Sequence, residues 1–154
     1  MTSPTISVER IINAPASRIF ALLADAGRHS SFDGSDTVRG IHGENQPLCL
    51  GTKFGMSMKA RAASLFVPYR TTNEIVEFEQ DRLIAWQTTA QMGIIGGRIW
   101  RYELIPSGAG TLVRETWDVS KDKQRFFLLR SSLPSQTREG MRETLDRLAR
   151  AVES

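Results

Sequence analysis

The sequence predicts an α+β fold, an antiparallel β-meander closed by one long C-terminal helix. Three observations predict it. From residue 52 onward, apolar residues recur with a period of two through five successive segments, the alternation of half-buried strands. The connections between those segments are short, and Pro106-Ser107-Gly108-Ala109-Gly110 is a strong turn signal; links of that length make consecutive strands antiparallel neighbours. The last segment then changes period, with Met141, Leu145, Leu148 and Val152 forming one stripe of a helix over residues 136–153. At 154 residues the chain is expected to form a single domain, long enough to bury about 68–70% of its unfolded surface.

Each element has its own reason. Thr5–Ile12 alternates, with Ile6, Val8 and Ile12 on one face. Pro15 sits where a first helical residue is tolerated, and Ile19, Phe20 and Leu23 give the helix over residues 16–24 an apolar face. Gly27 and the polar stretch 30–36 interrupt it around a second helical turn near residues 28–32, and a weak strand is expected at 37–41. Strands are then expected at 52–59, 70–79, 83–90, 98–105 and 112–119. In the closing helix Glu143–Arg147 and Asp146–Arg150 are spaced i,i+4 with the acid first, the favourable order. The chain shows no internal repeat, linker or low-complexity tract.

Turning the last hairpin about residues 106–111 sets Leu104 opposite Val113, Tyr102 opposite Glu115 and Trp100 opposite Trp117 on one face. Arg101, Glu103, Arg114 and Asp118 take the other face, which suits solvent. A matching register of the earlier hairpins adds Ile84, Trp86 and Thr88, then Val76 and Phe78, with Phe54, Met56 and Met58 beyond them. A packed core is the plain reading, above all for Ile84, Leu104 and Val113. Large aromatics that carry polar handles point instead to a ligand pocket. Its candidate walls are Phe54, Met56, Met58, Phe78, Trp86, Trp100, Tyr102 and Trp117, with Met141 and Leu145 from the covering helix.

Glu115 is the odd member of that face. Turned inward, it needs a partner such as Tyr102 or Arg98, or its pKa rises. It is either a ligand-facing acid or one end of a structural hydrogen bond, and a one-residue slip would turn it outward. His29 and Asp33 stand four apart and are able to meet on one helical turn as base and orienting carboxylate; surface or capping roles are the plain alternative. The catalytic candidates are thus Glu115, Tyr102 and His29.

In a meander, alternate connections lie at the same end of the sheet. That end collects Leu65-Phe66-Val67, Met92-Gly93-Ile94-Ile95-Gly96-Gly97 and Phe126-Phe127-Leu128-Leu129. Apolar loop tips are unusual. Phe66, Met92, Ile94, Ile95, Phe126 and Phe127 are read as a cavity rim, with a dimer contact, loops folded back into the core, or a minor membrane contact as the other readings.

Several segments in this order carry a family resemblance. They are Val8-Glu9-Arg10-Ile11-Ile12-Asn13-Ala14-Pro15-Ala16 leading into Ile19-Phe20-Ala21-Leu22-Leu23-Ala24-Asp25, then Arg28-His29 and Asp33-Gly34-Ser35, and Gly51-Thr52-Lys53-Phe54. Val76-Glu77-Phe78-Glu79 with Arg82-Leu83-Ile84-Ala85-Trp86, and Trp100-Arg101-Tyr102-Glu103-Leu104 with Gly110-Thr111, complete the set. Together they resemble the polyketide cyclase/dehydrase and lipid-transport branch of the START/Bet v 1-like (SRPBCC) superfamily, over nearly the whole chain. The resemblance implies a helix-grip fold, a curved antiparallel sheet wrapped around the long C-terminal helix, with two short helices after the first strand. It also implies a cavity for apolar or aromatic small molecules, used without cofactor or metal. Some members cyclise polyketides and others only bind or carry ligands. No catalytic signature shared across the branch can be matched here residue by residue, and one fold serves many functions.

Composition narrows the field further. Twenty Lys and Arg stand against 17 Asp and Glu, and residues 121–150 alone hold eight basic and four acidic residues. The positive excess is therefore read as the solvent face of a helix, and no nucleic-acid partner is expected. Cys49 is the only cysteine and His29 and His42 the only histidines, so neither a disulfide framework nor a Cys- or His-rich metal site is expected. No segment reads as a signal peptide or as the ~20 apolar residues of a membrane span, so a cytoplasmic location without stable membrane insertion is expected. No G-x-S-x-G, H-E-x-x-H or P-loop is present. The sequence thus predicts a binder of a hydrophobic, polyketide- or lipid-like molecule. The alternatives are a polyketide aromatase/cyclase working through cavity acid/base groups and a toxin-like or regulatory dimerisation module, and a homodimer is among the partners considered.

Overall fold

A computed structural model describes residues 3–62 and 65–153. Strand β1 (Thr5–Ile12) leads into helices α1 (Ala16–Leu23) and α2 (His29–Phe32). Strands β2 (Val38–His42), β3 (Lys53–Ala62), β4 (Leu65–Glu79), β5 (Leu83–Ala90), β6 (Ile95–Ser107) and β7 (Gly110–Asp118) follow, and helices α3 (Arg125–Arg130) and α4 (Leu133–Val152) end the chain. All seven strands pair antiparallel in the order β1-β7-β6-β5-β4-β3-β2, so β1 closes beside the last strand of the meander. This is the helix-grip arrangement.

The hydrophobic pattern explains the layers. β1 buries Ile6, Val8 and Ile12, while Arg10, at an intervening inward position, reaches out to an ion pair with Asp146 of α4. Pro15 caps α1 from outside in an extended conformation rather than starting it, and Ile19, Phe20 and Leu23 face the core. Asp25 Oδ1 accepts from Gly27 N at 3.0 Å and holds the turn into α2. α4 lays Met141, Leu145, Leu148 and Val152 against the sheet. The α2–β2 loop meets α4 so closely that a Cβ on Gly34 would stand against the Gly140 carbonyl and 2.5 Å from Thr144 N. In that seat Gly34 N donates to Thr144 Oγ1 at 2.8 Å.

Further sequence expectations change. A bulge between Ile75 and Glu77 shifts the register of β4, so Ile75 rather than Val76 is the buried residue there. Two residues facing one on the partner strand reverse the side-chain alternation, which turns Thr71 and Asn73 inward. The segment at 65–67 pairs with β3 as the start of β4 instead of forming an open loop. β6 begins at Ile95 with Gly96 and Gly97 at φ +99° and +115°, beside a second bulge between Thr88 and Thr89. The apolar run at 126–129 is helix α3, and α4 begins at Leu133, three residues earlier than its stripe suggests.

Candidate functional site

The concave face of the sheet and the first half of α4 enclose a cavity of about 300 Å³. β3 contributes Phe54, Met56 and Met58, and the central strands contribute Trp86, Trp100, Tyr102 and Trp117. α4 contributes Leu133, Thr137, Gly140, Met141 and Thr144, spaced so that one helical face lies over the hollow. Phe78 and Leu145 do not line it. Phe78 packs edge-on against Phe20 with ring centroids 5.4 Å apart, and Leu145 is sunk in the core.

At the deep end three rings form a column. His29 stacks on Trp86 at 4.8 Å and Trp86 on Tyr102 at 5.6 Å, with Phe54 edge-on to both His29 and Trp86. The Tyr102 hydroxyl donates to Glu115 Oε1 at 2.8 Å, a pairing set by the β6–β7 register that places the two residues opposite each other. Glu115 Oε2 has no partner and is the one such buried side-chain atom among the described residues. Burial, with a smaller push from Asp33, raises the Glu115 pKa to about 8, although the Tyr102 hydrogen bond pulls it down. Burial and the neighbouring Glu115 push the Tyr102 hydroxyl well above its usual range. At neutral pH this carboxyl is therefore mostly protonated, with one oxygen accepting from Tyr102 and the other free to donate.

His29 is placed differently from the base–carboxylate pair that its spacing from Asp33 suggests. Its Nε2 meets Leu23 O at 2.8 Å. A carbonyl only accepts, so Nε2 carries the proton and Nδ1 the lone pair. Burial lowers its pKa, which keeps the ring neutral at neutral pH. The Asp33 carboxylate instead accepts from Ser35 and from the backbone of Thr37 and Val38. Arg98 lines the cavity but pairs with the buried Asp122 at 3.1 Å rather than with Glu115.

Sequence reasoning missed a polar wall. Thr88 Oγ1 donates to Asn73 Oδ1 at 2.7 Å, and Asn73 Nδ2 reaches Thr71 Oγ1 and Phe54 O. Thr71 and Asn73 were hidden by the bulge in β4; only Thr88 lay on the expected face. Of the expected rim residues, Met92, Ile94, Phe126 and Phe127 are exposed and lie outside the cavity lining, which includes Ile95. The Phe66 side chain lies outside the described residues. Among those residues no three His, Cys, Asp or Glu side chains converge to hold a metal ion, and no helix is long and apolar enough to cross a membrane.

A gripped helix over an aromatic cavity defines the class: a helix-grip protein with a pocket between its sheet and its long helix. Residues 3–153 match the family model described as polyketide cyclase / dehydrase and lipid transport, and the chain belongs to that family. It is also similar to Rv0088 of Mycobacterium tuberculosis, an uncharacterized protein, with 37% identity over 109 residues covering 70% of this chain and 44% of that one. The match thus spans less than half the length of this relative. Among solved structures, CV1439 of Chromobacterium violaceum superposes with a TM-score of 0.73 at 16% identity, covering 98% of each chain. The Aha1 dimer of Colwellia psychrerythraea gives 0.64 at 15% identity, covering 97% of this chain and 96% of that one. At such identities these likenesses speak for the fold alone.

Proposed function

We propose that this protein binds an apolar, aromatic small molecule that presents one hydrogen-bonding oxygen to Glu115. The observation that carries the reading is the unpartnered Oε2 at the end of an aromatic cavity. A buried polar atom without a partner is costly, and a ligand carbonyl or hydroxyl placed there removes the cost. The volume of about 300 Å³ is at the lower end for ligand pockets and suits a few fused or linked rings better than a two-chain lipid. Phe54, Trp86, Trp100 and Trp117 supply the stacking and apolar contact, and the Thr71–Asn73–Thr88 wall offers a second polar contact. The whole chain acts as one binding unit in this reading, and a reducing cytoplasm suits its exposed, unpaired Cys49.

Native mass spectrometry of freshly purified protein tests this directly. A retained small molecule, or quenching of tryptophan fluorescence by aromatic polyketides, is expected. An empty protein whose tryptophans respond to no member of a polyketide and lipid panel overturns the reading.

A second reading, polyketide aromatase/cyclase, is favoured by a carboxyl that titrates near neutral pH. Glu115 would give its Oε2 proton to a ketone oxygen as an enol carbon of the same poly-β-keto chain attacks. Neutral His29 is the base on the cavity wall for the α-proton. Conversion of a poly-β-keto substrate that is lost in Glu115→Gln supports it; unchanged turnover in that variant removes Glu115 from the chemistry.

A further inference from the structure

We infer that the rim around Met92, Ile94, Phe126 and Phe127 is a docking surface for an anionic lipid bilayer. All four are exposed, Met92 fully and the other three over more than half of their surface. They belong to one physical patch because two short segments are tied together. Lys123 N donates to Gly96 O at 2.9 Å and Gly96 N to Gln124 Oε1 at 2.8 Å, while Lys123 Nζ bonds Gly93 O. α3 follows directly, with Leu128 and Leu129 packed against the core and the two phenylalanines turned out. A six-residue helix with apolar residues on its outer as well as its inner side has no use for the outer ones within its own fold.

Charge decides what covers the patch. Residues 119–138 carry Lys121, Lys123, Arg125, Arg130 and Arg138, all exposed. Their only acidic residue, Asp122, is fully buried and held by Arg98. Among the described residues none of those five cations is in an ion pair. The Arg125 and Arg130 guanidinium groups lie 4.9 and 6.0 Å from the centre of the Phe126 ring, at the level of the apolar tips. Aromatic and aliphatic tips beside unpaired cations suit an interface where tails lie beneath anionic headgroups. A second copy of the chain fits poorly, because a two-fold contact through this patch sets the same five cations against each other.

The patch also adjoins the cavity. Ile95 and Gly96, which open β6 directly after Ile94, and Leu133, which opens α4 just beyond α3, line its wall. A docked molecule would hold this end of the pocket against the lipid, where an apolar ligand is able to pass without crossing water. Docking does not require the cavity to be occupied.

Co-sedimentation with phosphatidylcholine vesicles containing about one-third phosphatidylglycerol tests it, against pure phosphatidylcholine as the neutral surface. Partitioning into the anionic vesicles, weakened by high salt, is expected. The double variants Phe126→Ser/Phe127→Ser and Arg125→Glu/Arg130→Glu should each reduce it by ~tenfold or more. These side chains are exposed, and an unchanged circular dichroism spectrum shows that the variants fold. Glu115→Gln, deep in the cavity, should bind vesicles like the parent, so failure of docking is separable from failure of ligand binding. No partitioning by the parent, or equal partitioning by the rim variants, overturns the inference. So does a concentration-dependent dimer that the rim substitutions abolish in a protein that ignores vesicles.

Discussion

The two ends of the cavity are built on opposite principles. At the deep end one buried carboxyl oxygen of Glu115 has no partner, on a cavity wall shared with Trp86, Tyr102, Trp117 and Met141, a polar atom kept from water. At the rim Met92, Ile94, Phe126 and Phe127 stand in water beside cations, apolar surface kept from oil. Neither arrangement helps the isolated chain, since burying a lone polar group and exposing a large apolar patch both cost free energy. The difference lies in what relieves each. An oxygen-bearing ligand answers the first, and an apolar surface with anionic groups answers the second. Substitutions at the deep end should therefore change stability and its pH dependence, whereas substitutions at the rim should leave folding alone.

The largest expected effect is at Glu115. In the unfolded chain its carboxyl titrates near 4.5, and in the fold it keeps its proton up to pH about 8. Between those values the folded state binds the extra proton, so stability is greatest below pH 4.5 as far as this group is concerned. It declines as pH rises through the window and levels off above about 8. A shift of this size corresponds to about 5 kcal/mol across the window. Urea unfolding at about pH 5 and about pH 9 should show that decline in the parent and lack this component in Glu115→Gln. Identical pH slopes for the two proteins would place the carboxyl in a wetter site and break the contrast between the ends.

Next in size is the seat of α4 over the deep end. Gly34→Ala drives a methyl group into the backbone at Gly140 and Thr144, and the loop or the helix must shift. A loss of about 2 kcal/mol is expected, read as a lower urea midpoint with an unchanged m-value. Bound ligand should recover part of it, because ligand holds the helix against the sheet. Tyr102→Phe comes third. It removes the hydrogen bond that lowers the Glu115 pKa, so Glu115 should titrate still higher, visible in the carboxyl carbon shift by NMR, with about 1 kcal/mol of stability lost. A fall in that pKa would show that Tyr102 is not the partner of Glu115.

Legibility in the sequence differed along the same line. The Tyr102–Glu115 pair was readable because one strong turn signal at residues 106–110 fixes the register of both flanking strands, and every side chain then follows by alternation. That logic fails at a bulge. The extra residue between Ile75 and Glu77 leaves no mark in the hydrophobic pattern, since Ile75 and Val76 are equally apolar, and it reversed the expected face of the segment that carries Thr71 and Asn73. The partner of Arg98 was invisible for a related reason, because Asp122 reaches it from a connection beyond β7 rather than from a paired strand. The positions of the rim tips followed from topology alone, but whether they folded back or stayed exposed depended on α3, whose four consecutive apolar residues carry no helical period.

The smallest expected effect is the one that separates the two ends most sharply. Phe127→Ser removes a large apolar side chain, a change that in the core costs about 3–5 kcal/mol when the replacement is alanine. Phe127 has no such environment: most of its ring is in water, and its neighbours Leu128 and Leu129 supply the contacts that hold α3 to the core. The unfolded chain exposes the ring as well, so the substitution changes little between the two states. Stability should stay within about 0.5 kcal/mol of the parent, measured by urea unfolding at neutral pH. A loss comparable with that of Gly34→Ala would mean that the ring is buried in solution by a fold-back of the loop or a second chain. A neutral result leaves an exposed phenylalanine whose use must come from something outside the fold.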